Sequence, residues 1–380
     1  MSTIFYFLLL LLFVQIVLME NYRRWFLKLR TFIPSKNTSV TKFSVIIPAR
    51  NEALNIEQCL LTVLNQQYPV ELFEVIVVDD FSTDDTSAVV QRLQQQYPNL
   101  QLLQLSQMVY EKQLNSYKKK AIELAIKRAT GDWIVTTDAD CFVTNQWLFN
   151  YDNFIQLNKP VFIAAPVKFI NSGSFVSIFQ CLDFMSLQGI TAASVLQGIH
   201  SMCNGANLAY SKIVFNEVDG FKGIDNIASG DDMLLMHKVY LKYPDRVQYL
   251  HAPSSVVQTL PMATWKDFLN QRIRWASKAD KFKDKRIFAV LAFIYFFNLS
   301  FFSLPFLAIW HIETWWYLPV MLAAKTIIEL RFMLPVAKFF KAEKMLWWFP
   351  IMQPVHIIYT VTAGWLGKFG NYSWKGRTVK

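Results

Sequence analysis

The sequence predicts an α/β domain built on a mostly parallel sheet and joined to transmembrane α-helices. Two observations lead there. Between residues 43 and 166, short Val- and Ile-rich runs alternate with stretches of helical length and spacing, and long apolar runs lie near both ends of the chain. The composition agrees, because 380 residues that are 53% hydrophobic, 16% aromatic and only 17% charged are too apolar for soluble domains alone. It excludes a disordered chain, and four cysteines exclude a disulfide scaffold. Cys59, Cys141, Cys181 and Cys203 show no CxxC spacing, which argues against a structural zinc site. They read as reduced packing residues in a cytosolic compartment.

Residues 4–19 are almost wholly apolar and are followed by Arg23, Arg24, Lys28 and Arg30. A secretory signal carries its charge before the apolar run, so residues 1–22 read as an uncleaved anchor with its C-terminal side in the cytoplasm. At roughly 16 to 18 residues this run is near the short limit of a span, and a helix lying partly in the interface is the alternative. A polar linker over 34–41 opens the α/β region, placed at 40–270. The runs 43–48, 73–79, 100–105, 133–137 and 161–166 are expected as buried strands. The stretches 55–65, 85–97 and 118–129 are expected as helices, with Ser82, Asp84 and Asp85 capping the second. Strand and helix in alternation imply a mostly parallel sheet covered on both faces.

From 287 the chain is apolar again over 287–310, 315–337 and 345–366, each long enough to cross a bilayer. Trp315, Trp316, Trp347 and Trp348 sit at the ends of these runs, where amphipathic rings settle at headgroup level. Residues 287–380 are therefore expected as a membrane domain of two to three hydrophobic segments and a basic tail. Three passes would put that tail outside, yet 368–380 carries four positive charges and no negative one. Pro350 and Pro354 break the last run, so a re-entrant hairpin returning the tail to the cytoplasm is the alternative.

The net charge of +10 suits nucleic acid or an anionic membrane surface, and its distribution decides. Residues 271–286 hold seven Lys/Arg against Asp280 and Asp284, immediately before the apolar run. A juxtamembrane basic cluster of this kind faces acidic headgroups on the cytoplasmic side. Nucleic acid is not an expected partner.

In an open parallel sheet the ligand sits beyond the carboxyl ends of the strands. Three strands end in charged clusters: Pro48-Ala49-Arg50-Asn51-Glu52, Asp79-Asp80-Phe81-Ser82-Thr83-Asp84 and Asp138-Ala139-Asp140. One such cluster alone is ordinary turn chemistry; three at one sheet edge are harder to explain that way. Asp138 and Asp140 at a strand end project two hard oxygen ligands toward one point, which suits Mg²⁺ or Mn²⁺ carrying a diphosphate. Lys118 to Lys120 lie just upstream at a helix start, to meet phosphate or to be solvated.

Taken together, SVIIPARNE (44–52), VIVVDDFSTDDT (75–86), KKKAIEL with Lys120, and GDWIVTTDAD (131–140) resemble the donor half of a family 2 glycosyltransferase of the GT-A (Rossmann-like) fold. CNGANLAYSK (203–212), ASGDDMLL (228–235) and QRIRW (271–275), a fit to the family's QxxRW signature, resemble its acceptor half. The resemblance covers roughly residues 43 to 275 in the expected order. It implies that Pro48, Ala49, Arg50 and Glu52 line the nucleotide pocket, that Asp80 or Asp79 faces the base, and that Lys120 is on the donor side. It implies that Asp138 contacts the nucleotide and shares the metal with Asp140. Asp232 stands where the family has its general base, with Asp231 where Glu is common. Asn204, Gly205, Gln271, Arg274 and Trp275 would serve the acceptor and the departing diphosphate.

Each assignment has a structural counterpart. Asp232 could serve as a helix N-cap for 233–240, QRIRW as an amphipathic interfacial helix, and Lys325 with Glu329 as a mutual pair inside the second C-terminal run. His200, His237 and His251 read as structural. The expected activity is inverting transfer of a sugar from a nucleotide donor, UDP-linked by first expectation, to a lipid or glycan at the cytoplasmic face of the cell (inner) membrane. A processive polysaccharide synthase is the alternative within that class, although the membrane part is lean for a translocating pore. A non-catalytic, sugar-nucleotide-binding scaffold is the alternative outside it, opposed by the presence of Asp80, Asp138, Asp140 and Asp232.

Overall fold

A computed structural model describes the chain apart from residues 1, 36–37, 110–115, 200–201, 226, 228–229, 278–284, 370–371, 375–376 and 380. Two compact units are distinguished. One comprises 30–169 with 194–260, and the other comprises Met1–Leu29, Ile170–Ala193 and Pro261–Lys380. The expected contiguous domain 40–270 is thus interrupted, with 170–193 and 261–270 belonging to the second unit.

The first unit holds strands β1 (Phe43–Ala49), β2 (Phe73–Asp79), β3 (Leu100–Gln104), β4 (Trp133–Thr136), β5 (Cys141–Phe142), β6 (Phe162–Ala164), β7 (Val167–Phe169), β8 (Leu208–Ser211), β9 (Val247–Tyr249) and β10 (Val257–Thr259). Seven of them form a sheet in the order β3-β2-β1-β4-β8-β6-β9, and β5-β10-β7 form a smaller one. β3, β2, β1 and β4 pair in parallel, β8 runs antiparallel to both β4 and β6, and β9 is parallel to β6. The mostly parallel sheet expected from sequence is present. Its centre needs cover on both faces, and Val45, Ile46, Ile47 and Val75 to Val78 are all fully buried. The covering helices are α2 (Ile56–Leu64), α3 (Thr86–Gln94), α4 (Tyr117–Arg128), α5 (Trp147–Asn158), α7 (Lys212–Glu217) and α8 (Asp231–Lys242). Of the three residues expected to cap α3, Asp84 takes the Thr86 N–H at 3.1 Å, while Asp85 at the N-cap position makes no side-chain cap bond.

At the amino ends of the central strands the Glu74 carboxylate, Ser44 and Thr130 form a network. Ser44 Oγ donates to Glu74 Oε1 at 2.7 Å, and Gly131 N donates to Ser44 Oγ at 2.9 Å. A Cβ on Gly131 would stand 2.6 Å from the Phe43 carbonyl carbon and 2.6 Å from Ser44 N, both backbone atoms that cannot swing aside. Gly131→Ala is therefore expected to lower stability by at least the about 1–3 kcal/mol usual for an overpacked core. The unfolding midpoint measures it, and an unchanged midpoint would contradict the close approach. His251, just past the carboxyl end of β9, is buried, and its imidazole is lowered to about 4 chiefly by that burial.

The second unit is helical: α1 (Ser2–Lys28), α6 (Phe175–Leu196, continuing three residues into the first unit), α9 (Trp265–Ala276), α10 (Lys285–Trp310), α11 (Tyr317–Phe340) and α12 (Phe349–Phe369). Among the described residues, three stretches are long and apolar enough to cross a membrane: Ile4–Lys28, Phe175–Leu196 and Lys285–Trp310. The N-terminal helix is longer than the expected 1–22, because Arg23 and Arg24 pair with Glu20 one turn back and carry the helix through the basic stretch. α6 was not expected as an apolar helix. α11 and α12 occupy two of the expected C-terminal segments without meeting the same length and composition test, and α11 carries Lys325, Glu329 and Arg331. The expected break at Pro350 and Pro354 does not occur: α12 is continuous, with Pro350 in its first turn, where a missing N–H costs nothing, and Pro354 inside the helix.

Lys325 and Glu329 do form a pair, with Nζ 2.8 Å from Oε2. The pair is part of a larger cluster. Lys325 Nζ also donates to Gln353 Oε1 at 2.7 Å, Gln353 Nε2 donates to Glu329 Oε2 at 2.8 Å, and Gln15 Nε2 donates to Glu329 Oε1 at 3.0 Å. These bonds tie α1, α11 and α12 together through groups that would be expensive to bury singly. The basic run 271–286 is described through Ser277 and again from Lys285, and the lysines between lie outside the described residues, as does His200.

Candidate active site

The carboxyl ends of β1, β2 and β4 adjoin, with Ala49 paired to Asp79 and Ile46 to Thr136. Asp80 N donates to Ala49 O at 2.8 Å and Thr137 N to Ile46 O at 3.3 Å, so all three charged clusters leave the sheet at one edge. After β1 and β2 the chain turns sharply, and Asn51 and Phe81 both take positive φ, 51° and 53°. An aromatic residue in this region is strained and has to be held there. Arg50 does so by donating from Nη1 to Asp80 O (2.8 Å) and Phe81 O (3.0 Å). Asn51 N donates to Ser82 Oγ at 3.0 Å, and Thr83 N to Asn51 Oδ1 at 2.8 Å. Asp79 accepts from Ser82 N at 3.2 Å. Glu52, nearly buried, donates from its N–H to Thr86 Oγ1 and accepts from Asn55 Nδ2. Pro48, Ala49, Arg50, Glu52, Asp79 and Asp80 thus belong to one interlocked pair of turns, in which Arg50 acts on backbone carbonyls.

Asp138 and Asp140 follow β4. Ligand atoms of Asp138, Asp140 and Cys141 lie within 4.8 Å of one another. Burial first, and then the charges of Asp140 and Asp138, push the Cys141 thiol well above its ordinary range, and it points at Asp140 Oδ1 from 3.7 Å. Asp138 and Asp140 are the two hard oxygen donors of this group. Hard oxygen donors of that kind fit Mg²⁺ or Mn²⁺ better than a softer metal. Cys59 on α2 is in the same condition, raised by burial and by Asp140, Asp138 and Glu52, with its Sγ 3.5 Å from Asp138 O.

Because β8 runs antiparallel to β4 and pairs Leu208 with Thr136, the segment just before it arrives at the same edge. Thr136 Oγ1 donates to Gly205 O at 2.8 Å, and Gly205 N donates to Asp232 Oδ2 at 3.0 Å. A side chain at 205 would crowd this point, with Lys118 Nζ 3.3 Å and Asp231 Oδ2 3.4 Å from where a Cβ would sit. Asn204 turns its own loop by accepting from Ala206 N at 3.0 Å. Asp231 and Asp232 open α8, whose N-cap is Gly230 at φ 78°, so the expected capping role for Asp232 is not the one observed. Asp232 Oδ1 instead accepts from Met233 N at 2.7 Å.

Lys118 joins the two halves. Its Nζ is 2.6 Å from Asp138 Oδ1 and 3.6 Å from Asp231 Oδ2. Burial works against the ammonium, but Asp138, Asp231 and Asp232 together outweigh it and hold the group charged well above the ordinary lysine range. Lys120, the lysine expected on the donor side, pairs with Glu123 at 3.3 Å on its own helix, and Lys119 donates to Ile227 O at 2.5 Å. Gln271, Arg274 and Trp275 lie on α9 in the helical unit, and Ala228 and Ser229 of the acceptor motif lie outside the described residues. Lys118 as a bridge was missed from sequence; in the helical unit Arg272, likewise not expected to carry a role, is buried against Asp183.

Comparison with known proteins gives the family and the fold. Residues 44–218 match the family described as glycosyl transferase family 2, and 133–366, more than half of the chain, match glycosyl transferase family group 2. Glycosyltransferase AglE of Haloferax volcanii is 38% identical over 112 residues, which is 29% of this chain and 34% of that protein. The chain therefore spans about a third of AglE's length in that match. The probable glycosyltransferase YdaM of Bacillus subtilis is 27% identical over 331 residues, 79% of this chain and 74% of YdaM. Among solved structures, the mannosyltransferase PcManGT from Pyrobaculum calidifontis, in complex with GDP-Man and Mn²⁺, superposes with a TM-score of 0.56 at 20% identity, covering 91% of this chain and 96% of that one. The shared fold is the GT-A-like α/β fold, and the chain belongs to the family 2 glycosyltransferases.

Proposed function

We propose that this glycosyltransferase moves a sugar from a nucleotide-sugar donor to a lipid or glycan acceptor at a membrane, inverting the anomeric configuration and using Mg²⁺ or Mn²⁺. The observation that carries the reading is the Lys118 bridge, which sets the metal-type carboxylate Asp138 and the carboxylates of Asp231 and Asp232 about one ammonium group. Asp138 and Asp140 would hold the ion, which neutralises charge building on the departing diphosphate. Lys118 adds a fixed positive charge beside it. The two turns after β1 and β2 receive the nucleotide.

On the acceptor side Asp232 is oriented by two backbone N–H groups, and a carboxylate so held still has lone pairs for a substrate hydroxyl. As the hydroxyl oxygen bonds to the anomeric carbon, its proton passes to Asp232, and the electron pair of the breaking C–O bond leaves with the nucleoside diphosphate. One base and one displacement invert the centre. The apolar helices α1, α6 and α10 support a membrane location, with the catalytic unit at the cytoplasmic face as the basic residues near 271–286 suggest.

Membranes carrying the protein, incubated with a panel of labelled nucleotide sugars and Mn²⁺, test the reading. A lipid-extractable product bearing one added sugar from one donor is expected, UDP-linked donors first. Absence of both transfer and donor hydrolysis across the whole panel would overturn it.

A further inference from the structure

On α9, Gln271, Arg274 and Trp275 share a face by their i, i+3, i+4 spacing, whereas Arg272 points into the helical unit and is only 4% exposed. Its guanidinium nonetheless touches two of the three. Nη1 donates to Gln271 Oε1 at 2.8 Å, and the guanidinium carbon lies 4.1 Å from the Trp275 ring centroid. On its other side Phe268 lies at 4.7 Å. A planar cation is thus held between two rings.

The plane of that cation is fixed in turn. Nε and Nη2 both donate to Asp183 Oδ2 on α6, at 3.0 and 2.6 Å, and Asp183 is itself buried. Its other oxygen accepts the Tyr359 hydroxyl from α12. The Tyr359 ring stands edge-on to Phe268 at 5.2 Å and Phe179 at 5.6 Å, and Trp275 also packs against Phe184 at 6.1 Å. A lysine ammonium cannot replace this cation, because it lacks the planar fork that brings Nε–H and Nη2–H to one Asp183 oxygen while Nη1–H reaches Gln271, and the flat face that meets the Phe268 and Trp275 rings.

We infer that Arg272, clamped by Asp183 and Tyr359, is a positioning residue that sets the Gln271 amide and the Trp275 indole for the transfer step. The inference rests on the reading of Gln271 and Trp275 as acceptor- and diphosphate-facing groups. A misplacement of this kind costs turnover more than nucleotide affinity, because the nucleotide also has the turns after β1 and β2 and the Asp138/Asp140 pair, all in the other unit.

The test uses full-length protein in detergent, labelled with 5-fluorotryptophan, the Trp275 resonance being assigned by its loss in Trp275→Phe. Arg272→Lys is expected to move or broaden that ¹⁹F resonance, to lower turnover roughly 10- to 100-fold, and to change Mn²⁺-dependent nucleotide affinity by much less than turnover. Tyr359→Phe, which removes one hydrogen bond and keeps the ring, is expected to shift the same resonance less and to slow turnover a few-fold; it carries the test if Arg272→Lys does not fold. An unmoved Trp275 resonance in a folded variant overturns the inference whatever the activity. If the wild type transfers no sugar, the proposed function fails, while the resonance still decides whether Arg272 sets Trp275.

Discussion

Asp232→Asn is expected to lower sugar transfer by roughly 10² to 10⁴, the usual contribution of a positioned base, while nucleotide binding stays near that of the wild type. The amide keeps the volume and one acceptor oxygen, so one of the two backbone N–H groups at Gly205 and Met233 retains its partner. What is lost is the ability to take a proton. Asp231 differs in its surroundings. It lies 3.6 Å from the Lys118 ammonium, the cation on the donor side, whereas Asp232 meets the backbone N–H groups of Gly205 and Met233. Asp231→Asn is accordingly expected to cost less than Asp232→Asn. Rates under saturating donor decide this, and Asp232→Asn activity within a few-fold of wild type would pass the role to Asp231.

Asp140→Ala is expected to abolish metal-dependent nucleotide binding. Of the two carboxylates only Asp138 would remain, and Asp138 already shares its charge with Lys118 at 2.6 Å. One carboxylate so engaged does not compete with water for Mg²⁺, which dehydrates reluctantly. Calorimetric titration of UDP or GDP with and without Mn²⁺ reads the effect. Undiminished Mn²⁺-dependent affinity in Asp140→Ala would contradict the assignment of the metal site.

The central strands were legible because they are buried on both faces. β2 falls at the expected 73–79, and β1 runs one residue past the expected 43–48. The charged turns follow from the same fact, since they begin where the apolar runs stop. Which lysine enters the site was legible in principle. Lys118 is in phase with Ala121, Ile122 and Ala125, the buried stripe of α4, whereas Lys120 is in phase with Glu123 and Lys127, its exposed ion-pair partners' face. The motif match pointed to the third lysine; helix phase leaves the first two, of which Lys119 turns to Ile227 O and Lys118 to Asp138.

α6 was illegible for a different reason. Ser177, Gln180, Asp183, Gln188 and Thr191 punctuate it, and all are buried, so no polar face alternates with an apolar one. Their partners are distant in sequence: Gln180 exchanges hydrogen bonds with Met262, and Asp183 with Arg272 and Tyr359. Periodicity within one segment cannot report such pairings. The same holds for Gln15, an isolated polar residue in an apolar run whose meaning appears only through Glu329.

The central claim is that Asp138 and Asp140 hold a divalent ion at the nucleotide site, with Lys118 and the α8 carboxylates beside it. Electron–nuclear double resonance on Mn²⁺ bound to the wild-type protein tests it most directly. The account predicts phosphorus coupling at the bound ion once a nucleoside diphosphate is added, and loss of that signal in Asp140→Ala. A bound Mn²⁺ with no phosphorus coupling, or nucleotide binding equally tight in excess chelator, would contradict it.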